Sequence, residues 1–139
     1  MIRKRWWHRF TKPYIIGNGY LHRWTLFALP RTRSFRVYLH HFRAPDPDPH
    51  LHDHPKWFLS IGLRGWYEEE TPEKTVLWRA PWIRWFPSKH IHSIRKVGKG
   101  TWTIVFCGPV SREWGFWMNG PDGKLSRWVP WRQYLDTYK

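Results

Sequence analysis

His50-Leu51-His52-Asp53-His54-Pro55 and Pro87-Ser88-Lys89-His90-Ile91-His92 are the stretches on which the reading of this chain turns. Seven of the nine histidines fall between positions 40 and 92. Imidazole is the commonest transition-metal ligand, and its charge changes near neutral pH. His52 and His54 are two apart, so an extended backbone projects both to one side, within reach of one ion. His92 needs only a neighbouring strand to join them. Three imidazoles leave open coordination positions, the arrangement of a catalytic rather than a purely structural metal. His50 and His90 share parity with these residues and are second-choice ligands. The competing reading is a proline-fixed turn whose histidines form hydrogen bonds, or bind anions when protonated.

The flanking sequence is rich in strands. Ser34 to Phe42 alternates with period two: Phe35, Val37, Leu39 and His41 share the apolar face, and Arg36, Tyr38, His40 and Phe42 the other. His41 on that face reads either as a hydrogen-bonded core histidine or, with other histidines near it in sequence, as a residue lining the site. Ala44-Pro45-Asp46-Pro47-Asp48-Pro49 is a stiff loop, because three prolines remove amide donors. Strands are predicted at Tyr20 to Leu29, Lys56 to Leu63, Trp66 to Glu70, Thr75 to Arg79, Trp82 to Phe86, His90 to Lys96, Thr101 to Cys107 and Glu113 to Met118. Asn18-Gly19, Gly65, Gly98 and Asn119 to Gly123 supply turns. Trp131 to Asp136 suits a short terminal helix, with Pro130 near its first turn. Many short strands with almost no helical periodicity imply an antiparallel sandwich or barrel.

Composition bounds the partners. The 139 residues suit a single domain, with a basic aromatic arm over 1–19 and a barrel core over 34–118. Aromatic residues make up 19% of the chain, 13 of them Trp, which favours β structure or stacking platforms for a planar ligand. The net charge of +14 favours anionic partners: nucleic acid, nucleotides, phosphate or an anionic membrane surface. Arg3, Lys4, Arg5, Arg9 and Lys12 alternate with Trp6, Trp7 and Phe10, a pattern suited to binding phosphate and stacking bases. Alternatively, those indoles pack on the barrel. The lone Cys107 excludes an intrachain disulfide, and no window is apolar enough to span a membrane, so a cytoplasmic location is expected.

His52-x-His54, with Phe58 and then Gly65 downstream, resembles the first cupin motif, in which two histidines precede a glutamate and a glycine. Pro87 with His92 resembles the second, in which a proline precedes the third histidine ligand. The resemblance implies an all-β cupin jelly roll, a metal at His52, His54 and His92 (Fe, Mn, Ni or Zn), a pocket including Phe58, Ser60 and Trp102, and a homodimer. The stretches around Leu51 to Pro55, Leu63 to Gly65 and Arg112 to Trp117 are also similar to small uncharacterised cupin-like proteins of phages and prophages, which would place the chain in a host cytoplasm. Two positions depart from the motifs. Phe58 stands where the ligand glutamate is found, and Lys89 where the second motif has glycine. Without the carboxylate, the resemblance implies a neutral three-histidine site or a pocket that has lost its metal. Glu68, Glu69 and Glu70 could supply an oxygen ligand, but a solvated acidic run is expected.

Three function classes follow: a metal-dependent enzyme on a small substrate, a non-catalytic binder of an anionic nucleotide-like ligand, and a nucleic-acid-binding protein. A 2-oxoglutarate oxygenase is disfavoured, because its His-x-Asp/Glu…His triad is absent.

Overall fold

The computed structural model describes residues 13–16, 19–29 and 35–138. Its strands are β1 (Tyr14–Ile16), β2 (Leu21–Ala28), β3 (Arg36–Phe42), β4 (Leu51–His52), β5 (Phe58–Arg64), β6 (Trp66–Glu70), β7 (Thr75–Arg79), β8 (Trp82–Phe86), β9 (Ser93–Val97), β10 (Thr101–Cys107), β11 (Gly115–Asn119) and β12 (Leu125–Pro130). A single described helix, α1 (Trp131–Tyr138), follows. Each of β6, β7, β8 and β10 spans the residues predicted from strand-like runs between turn residues. β1, β4 and β12 were not anticipated: the first lay in the presumed arm, the second in the histidine loop, the third in a polar stretch.

Six antiparallel strands form one sheet in the order β1-β2-β3-β10-β5-β8. The opposing layer has two halves, β12-β11-β4 and β7-β6-β9. They meet at one bridge, where His52 and His92 exchange backbone hydrogen bonds of 2.9 and 3.0 Å. The bridge brings the two histidine clusters together. Gly65 turns β5 into β6 at a φ of 86°, which favours glycine, and a Cβ there would strike Thr101. The layers close on Tyr67, Trp82 and Ile94 at one end and on Tyr38, Val105 and Cys107 at the other. Burying each large apolar side chain contributes about 1.5–3 kcal/mol.

The facing of β3 is the reverse of that expected. Tyr38, His40 and Phe42 point between the layers, and His41 stacks on Trp102 on the outside, ring centroids 4.2 Å apart. Both sides of the large sheet are apolar, so apolarity alone does not identify the inner one. The same facts resolve β5, where Phe58, Ser60 and Gly62 face inward and Leu59, Ile61 and Leu63 outward. No change of phase after Pro55 is needed. The outer face carries cross-strand rows such as Trp24-Leu39-Ile104-Ile61-Ile83 and Phe27-Val37-Phe106-Leu59-Trp85. Ile83 and Trp85, at its edge, are 76% and 59% exposed.

Candidate metal centre

Between the layers lies a cavity of about 470 Å³. His52, His54, Phe58, Ser60 and His92 line it together with His40, Thr103 and Cys107. Each of His52, His54 and His92 offers a ring nitrogen, all within 4.8 Å of one another. The Nε2 atoms of His54 and His92 are 3.2 Å apart. Two nitrogens bound at about 2.1 Å to one ion lie roughly 3.0–3.4 Å apart, so this pair already has ligand spacing. Burial lowers the His52 pKa to about 4 and holds His54 well below its ordinary value, with neighbouring imidazoles adding to the effect on His54. Both rings are therefore neutral near pH 7, with a lone pair to give.

The residue between the two histidines is the local anchor. Asp53 is 1% exposed and points away from their side of the strand. Its carboxylate accepts from the Gly115 amide at 2.8 Å and from the Trp117 and Trp128 indoles at 3.1 Å each, and pairs with Arg112 at 2.9 Å. These bonds tie β4 to β11 and β12, and so present His52 and His54 to the cavity.

Glu69 overturns the expectation of a solvated acidic run. It is 1% exposed. Its Oε2 accepts from His92 Nδ1 at 2.6 Å and lies 3.1 Å from His90 Nε2, while Oε1 pairs with Arg84 at 2.7 Å. Arg84 also donates to the Tyr67 hydroxyl at 2.7 Å. Burial alone would raise the Glu69 pKa, but the histidine hydrogen bonds and Arg84 outweigh it and hold the carboxyl far below its usual range. Glu69 meets the ring edge of His92 opposite Nε2, so it orients this histidine and does not share its ion. A carboxylate on Nδ1–H fixes the tautomer and leaves the Nε2 lone pair free for a metal.

Glu69, His90 and His92 also form a compact set of potential ligands. Arg84 at 2.7 Å supplies the positive charge there, which disfavours a second cation. His90 thus belongs to the support of the site rather than to its first ring of ligands. His50 is not brought to the centre: its Nδ1 is 2.9 Å from the Tyr134 hydroxyl. His41 and Trp102 are on the outer face, because alternation turns His40 and Thr103 inward in their place. Phe58 packs its ring against His54, centroids 4.9 Å apart, where a carboxylate would otherwise reach the centre. Arg3, Lys4, Arg5, Arg9 and Lys12 lie outside the described residues.

No protein-family model matches the sequence, and no curated protein matches it. Solved structures match its fold. An RmlC-like cupin from Shewanella frigidimarina aligns with a TM-score of 0.55 at 20% identity, covering 74% of this chain and 86% of that one. The polyketide cyclase RemF from Streptomyces resistomycificus gives a TM-score of 0.57 at 16% identity over 76% and 78%. KdgF from Halomonas sp. gives 0.56 at 12% identity over 73% and 89%. The fold is therefore that of the cupins, an all-β jelly roll with one short C-terminal helix. Its histidine clusters are able to hold a metal ion. Among the described residues, no helix is long and apolar enough to cross a membrane.

Proposed function

We propose that His52, His54 and His92 hold a divalent transition-metal ion inside a small-molecule cavity, and that the chain is a metal-dependent cupin enzyme. The observation that carries this reading is the facing Nε2 pair of His54 and His92, with Glu69 buried behind His92. Hydrogen-bonding histidines in a turn do not require a buried carboxylate to fix one tautomer. The donor set is three imidazoles, which suits Zn, Fe, Ni or Mn with positions left open. A bound ion would supply Lewis-acid chemistry to an oxygen of the substrate. The chain's own residues do the rest. Phe58, Phe86 and Phe116 set apolar rings against His54, His92 and His52 at the histidine end of the cavity. Asp53 and Glu69 hold the ligands in place from behind.

Metal titration of protein purified without a histidine tag tests this reading. Tight binding of one ion per chain, lost in the His54→Ala and His92→Ala variants, is expected. An absence of binding at micromolar metal would refute it. The similar folds include that of the polyketide cyclase RemF, which supports enzymatic use of such a pocket.

For the outer sheet face, the proposed partner is a second copy of this chain. Exposed apolar patches beyond a few hundred Å² are uncommon on monomers. The five-strand face, about 4.8 Å per strand across and about 3.3 Å per residue along, has a flat area of roughly 550 Å², the larger part of the roughly 800 Å² per partner of a standard interface.

A further inference from the structure

We propose that the inward row Arg23, His40 and Thr103 is a carboxylate-binding subsite, so that the molecule handled in this cavity is a small organic acid. The proposal rests on the metal-centre reading for the reacting end of that molecule. The subsite itself stands on separate residues.

The three residues are cross-strand neighbours: Arg23 pairs with His40, and His40 with Thr103. All three line the cavity. Arg23 donates its Nε–H to His40 Nε2 at 2.9 Å, which positions the guanidinium. Its carbon sits 4.2 Å from the centroid of the Tyr38 ring, and Lys56 Nζ lies 5.6 Å from the same centroid. The terminal nitrogens of Arg23 make no hydrogen bond among the described residues. Neither Arg23 nor Lys56 joins an ion pair there, and residues 1–45 contain no Asp or Glu to supply one. Such cations facing a cavity are costly without a counter-charge, and stacking on Tyr38 offsets only part of this.

Thr103 is the second, independent sign. It is 1% exposed, and its Oγ1 has no hydrogen-bond partner. A buried hydroxyl left unpaired is unfavourable, and it stands here in a row that ends in a guanidinium whose terminal nitrogens have no hydrogen-bond partner among the described residues.

Both signs of charge act in the cavity, and Arg23, Asp46 and Asp48 all act on the lining residue Tyr20. Asp46, Asp48 and Asp53 act on His52, at the metal end. Lys56, Arg23 and Arg36 act on Cys107, on the opposite sheet. Asp46 is already committed to the Ile94 amide at 2.8 Å. An acid seated with its carboxylate on Arg23 shares the cavity with the histidines. Two guanidinium donors and one hydroxyl match the planar lone pairs of a carboxylate.

The test uses the full-length, metal-free, isotope-labelled protein titrated with acetate, acetamide and inorganic phosphate by NMR. Acetate is expected to bind saturably at millimolar concentration, shifting the Arg23 side-chain Nε–H and the His40 and Thr103 amides. Acetamide should not. Arg23→Gln should weaken acetate tenfold or more. Thr103→Val, which removes only the unpaired hydroxyl and keeps the side-chain shape, should weaken it severalfold with an otherwise unchanged spectrum. Both variants should keep Zn(II) affinity within about twofold.

Acetate binding that depends on Arg23 supports the subsite even if the wild-type protein binds no metal. Zn(II) binding without any acetate shift at Arg23 or Thr103 overturns the subsite and leaves the metal centre standing. Phosphate bound more tightly than acetate through the same residues overturns the assignment to carboxylates.

Discussion

Replacing Glu69 by Gln probes the support of the metal centre with almost no change in shape. The carboxylate serves His92, His90 and Arg84 at 2.6, 3.1 and 2.7 Å. The amide has one acceptor oxygen, so it cannot serve both sides. With its oxygen toward the histidines, it turns two N–H groups toward Arg84 and leaves that guanidinium without an anion. With its oxygen toward Arg84, it presents a donor to His92 Nδ1, and the imidazole must shift its proton to Nε2, the nitrogen that faces His54. Removing one partner of a buried ion pair costs about 3–5 kcal/mol, and the retained hydrogen bond brings the expected loss to roughly 3 kcal/mol. For a chain of 139 residues this is a fall in Tm of about 10 °C. Metal affinity should fall by about 10–100-fold, the usual cost of losing a carboxylate behind a ligand histidine. Thermal melts of metal-free protein and competition titrations with a chelator read the two effects separately. Adding Arg84→Met to Glu69→Gln should recover part of the stability, by removing the orphan charge, and none of the affinity. A Glu69→Gln protein with unchanged Tm and unchanged metal affinity would refute the reasoning.

Further predictions concern the anchor, acid and the outer face. Asp53→Ala strips the Gly115 amide, two indoles and Arg112 of their common acceptor. It should cost about 3–5 kcal/mol in denaturant unfolding and carry metal binding down with it. In metal-free protein, His52 has a folded pKa of about 4 against an ordinary 6.5. The unfolded chain therefore binds the extra proton between those values, and stability should fall as pH drops through that window and level off below it. The His52 share is about 3 kcal/mol in all. Acid unfolding curves that are flat from pH 6.5 to 4 would contradict this. Ile83→Glu combined with Trp85→Glu alters two exposed positions on the outer face and should leave the fold intact. If a second copy covers that face, sedimentation will show a wild-type dimer and a monomeric variant; equal masses would remove the face as the interface.

The strand content and the pairing of His52 with His54 were legible because both rest on local spacing. Period two places His52 beside His54, and strand runs such as Thr101–Cys107 are bounded by turn residues. Facing was not legible. In β3 the outward residues Val37 and Leu39 are as apolar as a core face, while the inward face holds His40 and Tyr38. The pattern therefore points to His41 in place of His40, and Trp102, expected in the pocket, likewise lies outside while Thr103 faces in. Glu69 sits between Glu68 and Glu70 and looks like one of a solvated run; only its shared parity with Tyr67, and an arginine two residues after Trp82, hinted at a buried pair. Asp53 looked like a spacer between ligands, since its partners Arg112, Gly115, Trp117 and Trp128 lie about sixty residues or more downstream and meet it only through tertiary pairing.

The most direct test of the central claim is the metal content and affinity of untagged protein, by elemental analysis and titration, for the wild type beside His52→Ala, His54→Ala and His92→Ala. One divalent ion per wild-type chain and a large loss of affinity in each variant are expected. A wild-type protein that binds no ion, or variants that bind it as tightly as wild type, would contradict that claim.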